Sequence, residues 1–201
     1  MKLIYVSILM LFANVVHAHQ PDLSNLMIYE QNGKYLLLIK TSLSAFEGEV
    51  DFLYNKNAYK SPEEFNQLVT KHFQKSCLII MNNDTLKFIN PYVILGHETT
   101  IFAELGNVPK NINTIYTENH VFKDIHGSQS ELIVLLSGLP QKQYILNEEN
   151  NYTVKLKLEN KTWIIEETTN TVFGNSKFIL WGLIALTVLS VGFMIIKKNI
   201  S

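Results

Sequence analysis

The sequence predicts an α+β, mainly β protein: an antiparallel β-sandwich-like exported domain with a two-helix insertion, followed by one C-terminal transmembrane helix. Three observations lead to this prediction. Short apolar runs separated by turn residues recur along most of the chain, as is typical of antiparallel β structure. Two stretches after the first pair of runs change to helical periodicity. An uncharged run of 19 residues near the C-terminus has the length of a membrane span.

Residues 1–18 are typical of a secretory signal peptide. Lys2 gives a positive start, an apolar stretch follows, and Val16-His17-Ala18 supplies small or branched residues at the positions that a signal peptidase inspects. Cleavage after Ala18 leaves His19 as the first residue of the mature protein. The alternative is an uncleaved signal anchor, because Lys2 is the only basic residue before the apolar stretch.

Residues 19–165 are predicted to form one extracytoplasmic β-rich domain that opens with a hairpin. Two apolar runs in LSNLMIYEQNGKYLLLIKTSL flank Gln31-Asn32-Gly33, and an Asn-Gly pair between apolar runs is a strong hairpin signal. Two helices are then expected over about residues 45–55 and 62–75. Ser44 and Ser61 each begin a capping-box pattern, the second with proline at the first helical position.

The rest of the domain is predicted to be short strands separated by turns. The clearest is YTVKLKLE, in which apolar and polar residues alternate so that one face is buried. Asn82-Asn83-Asp84 is expected to form a turn. The predicted strands are CLIIM, LKFI, YVILG, TIFAEL, TIYTENHVF, ELIVLLSG, YTVKLKLE and TWIIEE.

The C-terminal part is predicted to anchor the domain in the cell membrane. Residues 166–177 form a polar juxtamembrane stalk, residues 178–196 form the single span, and residues 197–201 form the tail. Lys177 precedes the span and two lysines follow it, so the more positive end is expected in the cytoplasm. The domain would then face the periplasm or the cell exterior.

Composition narrows the classes of function. All 17 basic residues are lysine and the net charge is −1, which disfavours nucleic acid as a partner because arginine supplies most bidentate contacts to guanine and phosphate. The single cysteine, Cys77, rules out an internal disulfide and heads an apolar run, so we expect it to be a small buried core residue.

Five histidines remain after signal cleavage: His19, His72, His97, His120 and His126. His72 falls on the apolar face of the second predicted helix, so we expect a semi-buried, hydrogen-bonded histidine. Asp124 and His126 would lie on the same side of an extended segment. No HExxH, GxSxG, Cys/His zinc pattern or glycine-rich phosphate loop is present in the sequence, so an enzyme is not predicted.

A metal site is the most specific alternative. If His19 is the mature N-terminus, its α-amine and its imidazole could chelate one Cu(II) or Ni(II), with a second histidine completing the nitrogen set. His97 is the first candidate for that ligand, followed by His120 and His126. The competing interpretation is that signal cleavage leaves an arbitrary residue in front.

Several short motifs resemble a known group of proteins. The AHQPDLS start, the strand pair, FEGEV, the inserted helix and LGHETT resemble the exported N-terminal domains of HupE/UreJ-related bacterial membrane proteins and similar small periplasmic proteins. The resemblance covers most of residues 18–158 and implies an extracytoplasmic β-rich domain, with His19 and His97 matching the motif histidines. This chain has one predicted span where those relatives have a bundle, so transport is not carried over.

The sequence therefore predicts a non-enzymatic, single-pass, membrane-anchored binding or accessory module for a membrane or envelope protein partner. The first alternative is a copper- or nickel-handling module, and the second is an envelope enzyme using His97 or the Asp124/His126 pair. Partner binding predicts an exposed apolar patch far from the histidines. Metal handling predicts converging histidines, and an enzyme predicts a deep pocket around a histidine with a shifted pKa.

Overall fold

The computed structural model describes residues 23–166, which belong to one compact unit ending at Glu166. The predicted signal peptide, His19 and the predicted membrane span lie outside the described residues. Within residues 23–166, neither helix has the length and hydropathy needed to cross a membrane.

The described chain is mostly β, with two sheets and two helices. The helices are α1 (Leu43–Tyr54) and α2 (Pro62–Ser76). The strands are β1 (Leu23–Gln31), β2 (Lys34–Ser42), β3 (Cys77–Met81), β4 (Asp84–Thr85), β5 (Lys87–Ile94), β6 (Glu98–Gly106), β7 (Thr114–Asn119), β8 (Gln129–Leu135), β9 (Lys142–Leu146), β10 (Thr153–Glu159) and β11 (Thr162–Ile165).

The strands form a six-stranded large sheet and a five-stranded small sheet. The order in the large sheet is β5-β6-β2-β1-β8-β9, and the order in the small sheet is β11-β10-β7-β3-β4. All pairs are antiparallel except β1 with β8, which run parallel. The purely antiparallel expectation is therefore wrong at this pair. The chain enters β8 at the end of the sheet where β1 begins, so the two strands share a direction.

The first hairpin is confirmed. β1 and β2 pair from Asn25 with Lys40 to Gln31 with Lys34. Asn32 and Gly33 fill the two-residue turn, with φ of 53° and 74°. Positive φ at both turn positions matches the right-handed twist of the strands, which is why Asn-Gly is favoured there.

Both expected helices are present, but the cap of α1 differs from the prediction. The Ser42 hydroxyl accepts a hydrogen bond from the Ala45 N–H at 3.2 Å, so Ser42 is the N-cap and Ser44 lies inside the helix. The cap of α2 is as expected, because the Ser61 hydroxyl accepts from the Glu64 N–H at 3.3 Å. The first helix therefore starts directly after β2.

Three later expectations need correction. LKFI and YVILG belong to the single strand β5, whose register shifts between Ile89 and Tyr92 around Asn90, at φ 47°. β7 ends at Asn119, and residues 121–127 form successive turns, so Asp124 and His126 are not on an extended segment. β9 was not expected, because its five residues are few and mixed in polarity.

Residues from both sheets and both helices form one hydrophobic core. Phe73 of α2 packs on Phe88 of β5, with ring centroids 4.7 Å apart. The inner faces of the two sheets are joined where the Asn119 side-chain amide donates to the Ser130 hydroxyl at 2.8 Å. Cys77 is buried, as expected. The core therefore lies between the sheets, with the helices closing it beside β5.

Candidate functional site

The outer face of the large sheet, turned away from the core, is rich in apolar side chains. Successive side chains of a strand alternate between faces, so each strand that buries one set presents the other set on this outer surface. We call this surface the apolar face. Its apolar members are Leu23, Met27, Tyr29, Leu36, Leu38, Ile89, Tyr92, Ile94, Phe102, Ile133, Leu135 and Ile145.

One row of paired residues crosses the whole apolar face. Strand register aligns Tyr92, Phe102, Leu38, Met27, Ile133 and Gln143 across the six strands. Tyr92 is 54% exposed, and the four residues after it in the row are half-buried. Only the last residue is polar, so the row forms a continuous apolar stripe about 24 Å wide at the usual strand spacing.

The aromatic end of the stripe is ordered. The rings of Tyr92 and Phe102 stack with centroids 5.4 Å apart and an interplanar angle of 17°. Burial raises the pKa of Tyr29 above its usual value, and the neighbouring Tyr92 hydroxyl adds to the effect. Stacking fixes the two rings, so little side-chain entropy is lost when a ligand covers them.

An open cleft adjoins this aromatic end. It has a volume of about 430 Å³ and lies between the polar outer side of α2 and the bulged part of β5. Asn66, Thr70 and Lys71 line one wall, and Pro91 and Tyr92 line the other. The cleft gives the apolar face a polar border with hydrogen-bonding groups.

Ion pairs border the apolar face at both ends of the strands. Lys34 Nζ lies 2.7 Å from Glu104 Oε2, and Lys40 pairs with Glu98. Each of these two lysines thus has a carboxylate partner within the chain. An apolar centre with a charged border is the usual anatomy of a protein–protein interface.

The outer face of the small sheet is different. It presents the charged residues Glu118, Lys155 and Lys157 as well as Leu78, Ile80 and Tyr116, and both lysines pair with a nearby glutamate. Ile164, on the edge strand β11, is 38% exposed and pairs in register with Lys157. The outer face of the small sheet is therefore mixed in polarity, and the larger apolar surface belongs to the large sheet.

The candidate metal-binding histidines lie at separate places. His97 is exposed in the connection between β5 and β6, and His126 is exposed in the turns before β8. His120 is half-buried, with Nδ1 3.1 Å from Glu118 Oε1 and Nε2 3.0 Å from the Asn151 carbonyl oxygen. His19 lies outside the described residues.

The strand order separates two of these histidines. His97 precedes β6, and His126 precedes β8. In the order β6-β2-β1-β8, three strand spacings separate β6 from β8, which is about 14 Å. Within residues 23–166, no three His, Cys, Asp or Glu side chains lie close enough to hold a metal ion. A copper or nickel site completed by His19 stays a prediction.

A buried acid and a buried histidine face each other between the helices and residues 121–127. His72 is buried as expected, with Nε2 2.8 Å from the Val121 carbonyl oxygen and Nδ1 3.2 Å from the Ser76 hydroxyl. Glu49 was not expected here. It is 2% exposed, and His72 Nε2 lies 3.5 Å from its Oε1.

The environment of this pair favours neutral forms of both groups. Burial, together with the nearby Asp124 carboxylate, raises the pKa of Glu49 to about 7. Burial lowers the pKa of His72 below its usual value. Neither carboxyl oxygen of Glu49 has a well-formed hydrogen-bond partner among the described residues. A neutral carboxyl therefore tolerates this position better than a carboxylate.

An enzyme reading would require this pair to open onto a substrate pocket. Three open clefts of about 280 to 430 Å³ lie on the described domain, and no histidine lines any of the three. His72 and Glu49 are instead held in the packing between α1, α2 and Val121. Their position indicates a structural role.

Comparison with known proteins gives no match, since neither a family model nor a curated protein aligns significantly with the chain. The resemblance to HupE/UreJ-related domains therefore rests on the short motifs alone and stays a prediction.

The apolar face had a signal in the sequence that pattern reasoning did not use. The runs LMIY, LLLI and LIVL in β1, β2 and β8 are apolar on both alternating sets, as expected for strands covered on both faces. The core covers one set only. Uninterrupted apolar runs in antiparallel strands thus indicate a second surface that favours being covered.

Proposed function

We propose that this chain is a non-enzymatic, membrane-anchored binding module that docks a membrane or envelope protein on the apolar face of its exported domain. One observation carries the proposal: twelve apolar side chains lie on one sheet face that no element among residues 23–166 covers. Soluble surfaces rarely keep apolar patches of this kind unless another surface covers them. The signal peptide and the single span belong to the proposal as sequence-based predictions.

The position of the face supports docking over metal chemistry. A polar row containing Asn25, Lys40 and Glu131 lies between the apolar rows and the strand ends that carry His97 and His126. The polar row thus separates the two central apolar rows from these histidines, although Ile94 at the edge of the apolar face lies three residues before His97. The predicted copper or nickel site takes only one ligand from residues 23–166, so it stays a separate prediction.

Site-specific photo-cross-linking in cells tests the proposal. A photoreactive phenylalanine analogue replaces Leu38 at the centre of the apolar face, and the matched control places it at Ile164 on the small sheet. We expect a discrete cross-linked protein from the first position and none from the second. Absence of any adduct at Leu38 in a chain that reaches the membrane normally would overturn the proposal, as would equal labelling at both positions.

A further inference from the structure

We infer that the occupant of the apolar face is a second copy of this chain, so that two large sheets pack face to face in an isologous dimer. The inference rests on the proposed function and names its partner. Three properties of the face support the inference: its area, its charge, and the pairing of its apolar residues with one another under a two-fold rotation.

The area is of the size that a dimer needs. The large sheet has six strands of five to nine residues, which gives a footprint of about 29 Å by about 25 Å, or about 700 Å². Standard interfaces bury about 800 Å² on each partner. Sheets that pack face to face lie about 10 Å apart, with interdigitating side chains.

The charge of the face permits self-association. Lys34 and Lys40 are each paired with a glutamate of the same chain, and Glu131 is the remaining charge of the polar row. Two copies therefore meet without strong like-charge repulsion. The face also lacks an unpaired cluster of lysines among the described residues, which a surface for acidic proteins or anionic lipids would present.

The rows are self-complementary about the centre of the sheet. β1 and β2 occupy the middle of the strand order, and a two-fold axis parallel to the strands and between them would bring each residue opposite its counterpart in the same row, to a first approximation that ignores sheet twist. Four apolar–apolar pairs then form over the three rows, while Glu104 faces Leu135 and Tyr92 faces Gln143. The four apolar pairs are Leu38 with Met27, Phe102 with Ile133, Leu36 with Tyr29, and Ile94 with Ile145.

The same symmetry places Met27 next to the axis, close to its own symmetry mate and to Leu38 of the other copy. Phe102 and the stacked Tyr92 would contribute rigid aromatic contacts further out, at Ile133 and Gln143. Aromatic residues are enriched among the residues that contribute most of the affinity of an interface. Met27 is the place to probe, because the two copies of this residue approach each other most closely.

Chemical cross-linking of the full chain in native membranes tests the inference. Two copies with different affinity tags are co-expressed, each carrying Met27→Cys, and treated with a short bismaleimide. The native Cys77 is buried and its thiol pKa is raised by burial, so it does not compete for the reagent. Ile164→Cys is the matched control on the small sheet.

We expect Met27→Cys to give a cross-linked band at twice the chain mass that contains both tags, and Ile164→Cys to give none or at least tenfold less. A second pair carrying Met27→Cys with Leu38→Lys should lose the band, because a lysine at the centre would face apolar side chains of the other copy. A circular dichroism spectrum equal to that of the parent chain keeps this variant interpretable.

The outcomes separate the two proposals. If Met27→Cys gives no doubly tagged band while Leu38 photo-cross-links to a different protein, the second copy is overturned and the docking function stands. If neither experiment gives an adduct on the apolar face, both are overturned. A doubly tagged band that persists with Leu38→Lys, or appears equally with Ile164→Cys, also overturns the face-to-face dimer.

Discussion

Replacing Glu49 with glutamine should stabilise the domain at neutral pH and leave it almost unchanged in mild acid. The carboxyl of Glu49 is buried, and its pKa is raised from 4.5 to about 7. Each pKa unit corresponds to about 1.4 kcal/mol, so the ionised carboxyl costs the folded state about 3 kcal/mol relative to the protonated form. Glutamine has nearly the same size and stays neutral at every pH.

The direction of the pH dependence of stability follows from proton binding. The folded state holds the Glu49 proton more tightly than the unfolded state, so its contribution to stability is full below pH 4.5 and is lost as the pH rises to about 7. His72 acts in the opposite direction, because its pKa is lowered on folding. Its contribution is full above its usual pKa of 6.5 and is lost as the pH falls.

Urea unfolding of residues 23–166 from about pH 5 to about pH 8 measures both effects. The free energy of unfolding of Glu49→Gln should exceed that of the parent by under about 1 kcal/mol at the acid end and by about 3 kcal/mol at the alkaline end. In Glu49→Gln, the free energy of unfolding should still rise with pH, because the pKa of His72 is lowered on folding. Glu47→Gln, an exposed site on the same helix, is the control. Parallel profiles of the parent and Glu49→Gln would refute the reasoning.

Three further predictions concern the caps, the core and the histidines. Ser42→Ala should lower the free energy of unfolding by about 1 kcal/mol while Ser44→Ala changes it by less than about 0.5 kcal/mol, as read from urea midpoints; equal effects would contradict the assigned cap. Phe73→Ala should cost about 3 to 5 kcal/mol in the same assay, because it empties fully buried space beside Phe88. If the mature chain binds copper, calorimetry should show that only one of the single variants His97→Ala and His126→Ala abolishes binding, because the strands that follow these two histidines start about 14 Å apart; loss of binding in both variants would contradict this.

Local features of the fold were predictable, and distant pairings were not. The hairpin follows from Asn32-Gly33 and the second helix from Ser61 and its proline, because each signal lies within a few residues of the structure it produces. The parallel pairing of β1 with β8 joins segments about a hundred residues apart. The spacing of apolar residues in β1 and in β8 does not indicate which strand each of them pairs with.

The burial of Glu49 and the apolar face could not be predicted from the sequence for a similar reason. Glu49 shares a helical face with Ala45 and Phe46, at spacings of four and three, so its position in the sequence is compatible with burial. A lone glutamate in an amphipathic stretch is usually solvated, and only the packing against His72 shows that this one is buried. The apolar face likewise depends on which set of side chains the second sheet covers, which is a tertiary property.

The buried thiol of Cys77 is a natural probe of local opening of the domain. The side chain is sealed within the core at the start of β3, directly after α2, and burial raises its pKa so that the reactive thiolate is scarce while the fold is closed. A thiol reagent can therefore modify it only during moments when the strand separates from its neighbours. The rate of thiol modification at increasing denaturant concentrations then reports how often this strand opens, without any label added to the chain.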